Sequence, residues 1–294
     1  DPSEPEPSEP EVDKSSLTYG KSYEANGIYN GGTTTPYPDE NGKTMTDGKI
    51  VPTGASFSDP AFIGFNQNAT AYRTNSYATI TVDLEKIYSL DKFVAHVGSA
   101  ALGGGIDAPE FVWIYVATEY GEWYEAGRTN HSDTTETNSI AATLELDEAI
   151  TARYVQFRFM GNSNWIFVSE VEAYGREAES AIPYPEVEAE KSFLFVGNSA
   201  TFYFNTAFKF KCLAESLGVN VDVTTCCYGS AYLRDYADPN KKPHGDTFRK
   251  KIAEKEYDFV VLQDNSGADF ETAKAAVDVL MPFIKENGAE TVLY

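Results

Sequence analysis

Residues 191–205 read KSFLFVGNSATFYFN. A short apolar run, Phe193 to Val196, stops at Gly197 and passes through Asn198 and Ser199 into a polar-aromatic segment able to open a helix. A strand that breaks at glycine and runs straight into a helix is the repeating unit of a parallel α/β sheet. Ser199 is then placed just past the C-terminal end of a strand, the edge of an open sheet where ligands and chemistry collect. Two readings of that serine stand. It is a nucleophile if a base takes its proton, or the Asn-Ser pair is an ordinary helix N-cap.

Downstream the same alternation continues. Asn205 to Leu217 reads as a helix stopped by Gly218, followed by a strand at Val219–Thr225. A basic helix covers about 246–256, Phe259–Gln263 is a strand, Glu271–Asn287 is a helix ended by Gly288, and Glu290–Tyr294 begins another strand. This pattern predicts a parallel sheet with right-handed crossovers. Pro282 falls inside the last helix and is expected to kink or restart it.

Upstream, residues 176–190 form an acidic, proline-bearing linker, REAESAIPYPEVEAE. From about 15 to 175 the pattern is all-β. Ala78–Leu84, Lys92–Val97, Phe111–Thr118, Ala142–Leu146, Arg153–Phe159 and Phe167–Tyr174 are short, rich in Val, Ile, Tyr and Phe, and mostly alternate apolar with polar. Such strands, separated by Gly, Asn, Asp and Ser clusters, predict a sandwich or jelly roll. Two long polar stretches, 24–60 and 98–109, interrupt it; loops of that length in a compact domain are usually functional or ion-stabilised.

The 294 residues carry 45 acidic and 23 basic side chains, a net charge of −22. A field of that sign repels phosphate backbones and anionic membranes, so nucleic acid is a poor partner. Residues 1–14 are an acidic, Pro-rich disordered spacer, DPSEPEPSEPEVDK. That start reads as the tether left after removal of a signal or lipoprotein segment, which places the chain at a bacterial-type cell surface or outside the cell. No run of about 18 apolar residues is present to span a membrane. Cys212, Cys226 and Cys227 show no metal spacing and read as small core thiols.

Six segments of the β half, in order, resemble the discoidin or F5/8 type C family of galactose-binding-like domains, which includes many carbohydrate-binding modules. They are YPDENGKTMTDGKI (37–50), FSDPAFIGF (57–65), TVDLEKIYSLDKF (81–93), APEFVWIYVATEYGEWYEAG (108–127), ARYVQFRF (152–159) and SEVEAYG (169–175). The resemblance implies a jelly-roll sandwich with a structural Ca²⁺, a cation that takes six to eight oxygens, many of them loop carbonyls. Carried over by motif, Asp47 supplies a carboxylate, Thr53 an oxygen from the same loop, and Glu170 reaches in from the last strand. The register of 47–53 is about one residue longer than the family pattern, and the plain alternative is an Asp-Gly turn. Trp165, Tyr37, His96 and Arg73 are the kinds of residue that hold a sugar in such loops. Trp113 and Trp123 lie in strand patterns and read as core, and His96 as a structural histidine.

The other half resembles the SGNH (GDSL-like) hydrolases, in the branch that reads "GNS" for "GDS". FVGNSAT (195–201) matches the nucleophile block with Ser199 as the serine, CYGSAYL (227–233) the second block, with Gly229 as a backbone N–H donor, and VVLQDNSG (260–267) the third, with Asn265 as a side-chain donor. Donors from three successive strand ends converging on one tetrahedral oxyanion are worth roughly 3–4 kcal/mol each. Gln263 stands where the third block has glycine, which leaves open whether Gln263 or Asn265 lines the oxyanion site. The fourth block, Asp-x-x-His, is absent. Neither His96, His131 nor His244 has an Asp three residues before it, and His244, in PNKKPHGD, reads as a solvated loop histidine.

The expected architecture is therefore multidomain: a β-sandwich over 15–175, a linker over 176–190, and an incomplete three-layer, flavodoxin-like α/β domain over 191–294. The expected function is a carbohydrate-targeted esterase fragment. Its substrate is an acylated polysaccharide or other glycan, most simply acetylated, and its base lies beyond Tyr294. The alternative is a non-catalytic carbohydrate-binding or adhesion protein.

Overall fold

The computed structural model describes residues 15–28, 37–39, 41–66, 69, 77–161, 165–185, 188–203 and 205–294. The acidic N-terminal spacer and Arg73 lie outside the described residues. The chain divides into two compact units, with the boundary between Tyr184 and Pro185.

The first unit is a β-sandwich. Its strands are β1 (Tyr23–Asn26), β2 (Ile63–Asn66), β3 (Ala78–Gly98), β4 (Phe111–Ala117), β5 (Tyr124–Arg128), β6 (Ser139–Met160) and β7 (Trp165–Glu177). All pair antiparallel, in the order β2-β7-β3-β6-β4-β5, with β1 added on β3. Two pairs of predicted strands are each one long strand, β3 and β6. Register shifts at Asp83/Tyr88 and Leu90/Lys92 let these strands change layer without ending. The start of β3 pairs with β1 and the end of β6; the rest of β3 pairs with the start of β6 and with β7. Period-2 alternation sends Val112, Ile114 and Val116 of β4 inward with Val155, Phe157 and Phe159 of β6, all at most 1% exposed. Phe65 stacks on Phe159 at 6.0 Å and ties β2 to β6. The first half of the predicted linker is fastened to this unit: the Tyr184 ring stacks on Tyr124 at 4.8 Å and its hydroxyl donates to the Thr151 carbonyl.

The second unit contains β8 (Lys191–Gly197), α1 (Ser199–Phe202), α2 (Thr206–Ser216), β9 (Val221–Cys227), α3 (Leu233–Ala237), α4 (His244–Glu254), β10 (Phe259–Leu262), α5 (Phe270–Asn287) and β11 (Glu290–Leu293). Its four strands are all parallel, in the order β11-β10-β8-β9. Helices cover both faces. Leu194 and Val196 with Val260 and Leu262 meet Tyr236, Phe248, Ile252, Leu280 and Ile284 on one face. Phe195 and Val261, one residue out of phase, meet Ala207 of α2 on the other. This is the three-layer arrangement the alternation of strand and helix predicts. Cys226 and Cys227 are inside β9, buried and unpaired. The α5 helix runs unbroken through Pro282, which sits on its exposed side, so the expected restart does not occur.

Candidate functional site

In the α/β unit, β8, β9 and β10 end level with one another: Gly197 pairs with Cys227, and Val196 with Leu262. Their following loops leave the same edge of the sheet and carry Ser199, Gly229 and Asn265. Hydrogen bonds knit these loops together. The Tyr228 N–H and the Tyr236 hydroxyl both donate to the Gly197 carbonyl, at 3.2 and 2.5 Å. Asn198 donates its N–H to Gln263 Oε1 and its Nδ2 to the Ala231 carbonyl, each at 2.9 Å. Asn265 Nδ2 donates to the Ser230 carbonyl at 3.3 Å. Asp264 Oδ1 accepts from the N–H groups of Leu233 and Asn265 at 2.9 and 2.7 Å.

Ser199 is the first residue of α1, and the cap is Asn198, whose side chain accepts from the Ala200 N–H at 3.0 Å. The serine hydroxyl is thereby released from capping. It is half-buried and makes no hydrogen bond among the described residues. The backbone N–H groups of Ser199 and Gly229 are also unbonded among the described residues. A primary amide has two N–H donors, so Asn265 Nδ2 keeps one beyond its bond to Ser230. Ser230 itself holds a left-handed backbone, φ 59°, which turns its carbonyl to Asn265.

Gln263, left open by the sequence, has a supporting place. It is buried, its Oε1 accepts from the Asn198 N–H and from Thr201 Oγ1 at 3.0 Å, and its Nε2 donates to the Asp264 carbonyl. Gly197 is its steric complement: a Cβ there would lie 2.6 Å from Gln263 Oε1 and 2.7 Å from Thr201 Oγ1. The glutamine underpins the Ser199 turn from a buried position, whereas Asn265 is only half-buried at the sheet edge.

The histidines are accounted for by packing. His96 is buried and bonds Glu172 at 3.0 Å. His131 bonds Thr129 Oγ1 and the Pro109 carbonyl at 2.9 and 2.7 Å, and burial lowers its pKa. His244 corrects the sequence reading. It is the first residue of α4 rather than a solvated loop residue, 4.7 Å from the Tyr228 ring and 5.7 Å from the Tyr236 ring. Its Nδ1 is buried with no partner among the described residues, and burial holds its pKa below the ordinary histidine value, against the opposing pull of Asp235. Pro243 directly before it and Asp246 in the first turn are helix-start signals that could have placed it.

In the β unit, Asp47 and Glu170 come together. Glu170 is 1% exposed and accepts from the Gly48 N–H at 3.0 Å. Burial first, then the negative charges of Asp47 and Glu172, push its carboxyl up to about 9. No cationic side chain pairs with it among the described residues. Asp47 accepts from the Lys49 N–H at 2.9 Å, the local bond of an Asp-Gly turn. Thr53 is exposed in a turn clipped by Asn138, which bonds the Pro52 and Ala55 carbonyls and the Gly54 N–H. Among the described residues no bond joins Thr53 to Asp47 or Glu170, and no group of three His, Cys, Asp or Glu side chains gathers. A cation here would need backbone carbonyls beside the two carboxylates.

A cleft of 490 Å³ opens next to this loop, lined by Tyr37, Asn41, Thr44, Asp47, Asp59 and Phe62. Of the sugar candidates, Tyr37 and Trp165 meet edge-on at 5.3 Å, while His96 lies buried against Glu172. Trp113 is buried, as expected. Trp123 is only half-buried and outside the core, edge-on to the exposed Tyr120 at 5.8 Å.

No family model matches the chain. No curated protein matches it. Similar solved structures include a fucolectin from striped bass (Morone saxatilis) serum, at 17% identity over 56% of this chain and 50% of that one, TM-score 0.40. A carbohydrate-binding module of Clostridium perfringens, CpGH89CBM32-5 in complex with GalNAc-β-1,3-galactose, is 15% identical over 55% of this chain and 100% of its own, TM-score 0.39. A candidate SGNH hydrolase from Slackia heliotrinireducens is 34% identical over 36% of this chain and 56% of its own, TM-score 0.29. The chain thus spans about half the length of the fucolectin and of the Slackia protein.

Proposed function

We propose that the α/β unit is built for ester hydrolysis by Ser199, with the N–H groups of Ser199 and Gly229 and the Asn265 amide receiving the oxyanion. The β unit would hold the acylated glycan that carries the ester, at the cell surface or outside the cell. One observation carries the reading. At a single edge of the parallel sheet, a serine hydroxyl released from capping stands among loops that keep unbonded N–H donors. Tethering substrate and active site on one chain raises the local ester concentration.

A base must still accept the Ser199 proton. Residues 191–294 contain no Asp-x-x-His, and the pKa of the unit's own His244 is lowered by burial among tyrosine rings. Imidazole rescue therefore tests the nucleophile directly. Hydrolysis of 4-methylumbelliferyl acetate is measured with added imidazole for the parent and for Ser199→Ala in parallel. The parent should exceed the variant, and Asn265→Ala should remove about 10²–10³ of the excess. Equal rates for parent and Ser199→Ala would leave the serine without a role. The second reading, a non-catalytic glycan-binding protein, would then hold.

In the β unit, the buried Glu170 beside Asp47 favours a structural Ca²⁺, with Thr53 in the next turn as the third oxygen source. A divalent cation neutralises two carboxylates that otherwise repel in a dry site.

A further inference from the structure

The β4–β5 hairpin carries a surface at the end of the sandwich away from the 98–109 loop. Register fixes which end this is. Phe111 pairs with Met160 beside the 98–109 loop, whereas Ala117 pairs with Tyr154 at the other end. On the hairpin turn, Tyr120 is 58% exposed. Its ring meets Trp123 at 5.8 Å and 70°, and Tyr154 at 5.5 Å and 83°. Glu24 accepts from its hydroxyl at 2.8 Å. Arg153 lies 4.9 Å over the Tyr154 ring and is gripped by Asp83 through Nε and Nη2 at 2.8 and 2.7 Å. The Arg153 and Asp83 side chains remain 41% and 38% exposed.

We propose that this is a second carbohydrate-contact surface, one that takes a neutral pyranose ring. It rests on the reading of the β unit as a glycan binder, not on the esterase. A pyranose offers an apolar C–H face and vicinal hydroxyls on its rim. The first fits an exposed aromatic ring. The second fits a planar guanidinium–carboxylate pair already held in place, since a guanidinium has five N–H donors and Asp83 occupies two. Rings near right angles to one another form a step rather than the flat apolar patch of a protein interface. The fold does not need them: the inward residues of β4 are Val112, Ile114 and Val116, and the hairpin rings lie outside that core. Glu24, Glu119 and Glu122 are all exposed around one arginine that is already neutralised. That charge balance turns away sialylated and sulfated sugars.

Glycan-array binding of the full chain tests this. The probes are galactose-, fucose- and N-acetylglucosamine-terminated oligosaccharides and their sialylated counterparts. The variants are Tyr120→Ala, Tyr120→Phe, Trp165→Ala and the double variant Tyr120→Ala/Trp165→Ala. Tyr120→Ala should weaken neutral-glycan binding about tenfold without lowering the melting temperature. Tyr120→Phe, which keeps the ring, should stay within about twofold, and the double variant should lose more than either single one. Undiminished binding by Tyr120→Ala overturns the proposal, as does preference for sialylated probes. Loss in Trp165→Ala alone would keep the loop site and remove this one. Silence of the parent on every probe would remove both, whatever the outcome of the esterase assay.

Discussion

A single carboxyl, Glu170, gives the β unit a pH dependence of unusual sign. Its pKa is raised from 4.5 to about 9 by burial and by the charges of Asp47 and Glu172. Between those values the folded chain keeps a proton that the unfolded chain has released. Stability therefore falls as pH rises through that window, the reverse of an ordinary ion-paired carboxylate. Calcium binding at Asp47 and Glu170 would expel the same proton, so its affinity should grow with pH over the same range. Thermal melts at about pH 5 and about pH 8.5, each in EDTA and in CaCl₂, should show a calcium stabilisation concentrated at the higher pH. Glu170→Gln should flatten the EDTA profile and abolish the calcium shift. A calcium shift that survives Glu170→Gln would place the ion elsewhere.

At the scale of elements, the strand-to-helix turn after β8 is the feature on which the hydrolase reading turns. Asn198 and Thr201 are buried there, and the N–H of one and the hydroxyl of the other both meet Gln263 Oε1. Gln263→Leu leaves both unpaired at a cost of about 1–3 kcal/mol each. Gly197→Ala forces a methyl against the same oxygen, an overpacking cost of about 1–3 kcal/mol. Urea unfolding should show both losses, and serine labelling by a fluorophosphonate probe should fall with them. Unchanged labelling in a destabilised Gln263→Leu protein would mean that the turn does not position Ser199.

These elements also show what the residues alone could tell. Alternation in Val112–Val116 and the apolar run Phe193–Val196 located β4 and β8 because each side chain's face is a local property. The merging of 78–84 with 92–97 was not legible. It depends on register shifts against β6, and pairing partners leave no mark in a single strand's composition. Trp123 fits a strand pattern as well as Trp113 does, yet it sits one residue before β5, where alternation no longer decides burial. Ser199 could be named because it follows a strand, and Gly229 and Asn265 because their segments resemble the second and third SGNH blocks; that Asn198 takes the capping role, and Gln263 the supporting one, depends on contacts between loops distant in sequence.

At the scale of the whole molecule, two cores with separate apolar clusters predict two separable unfolding transitions. The β unit is closed around Phe65, Phe157 and Phe159, and the α/β unit around Tyr236, Phe248 and Leu280. Domains with their own cores unfold as units of their own unless a large apolar interface couples them. Two perturbations already argued address one unit each. Calcium, on the proposal that only the folded β unit binds it, would add about 2.7 kcal/mol at a hundredfold excess over its dissociation constant, and should raise one transition alone. Gly197→Ala acts beneath the Ser199 turn and should lower only the other. Differential scanning calorimetry of the full chain, with and without CaCl₂, for the parent and for Gly197→Ala, gives the four traces needed. Two peaks that move independently would show that the sandwich and the α/β unit hold their structures separately. A single peak that responds to both perturbations would mean that each unit depends on the other, and a glycan bound by one would then stabilise the Ser199 edge of the other.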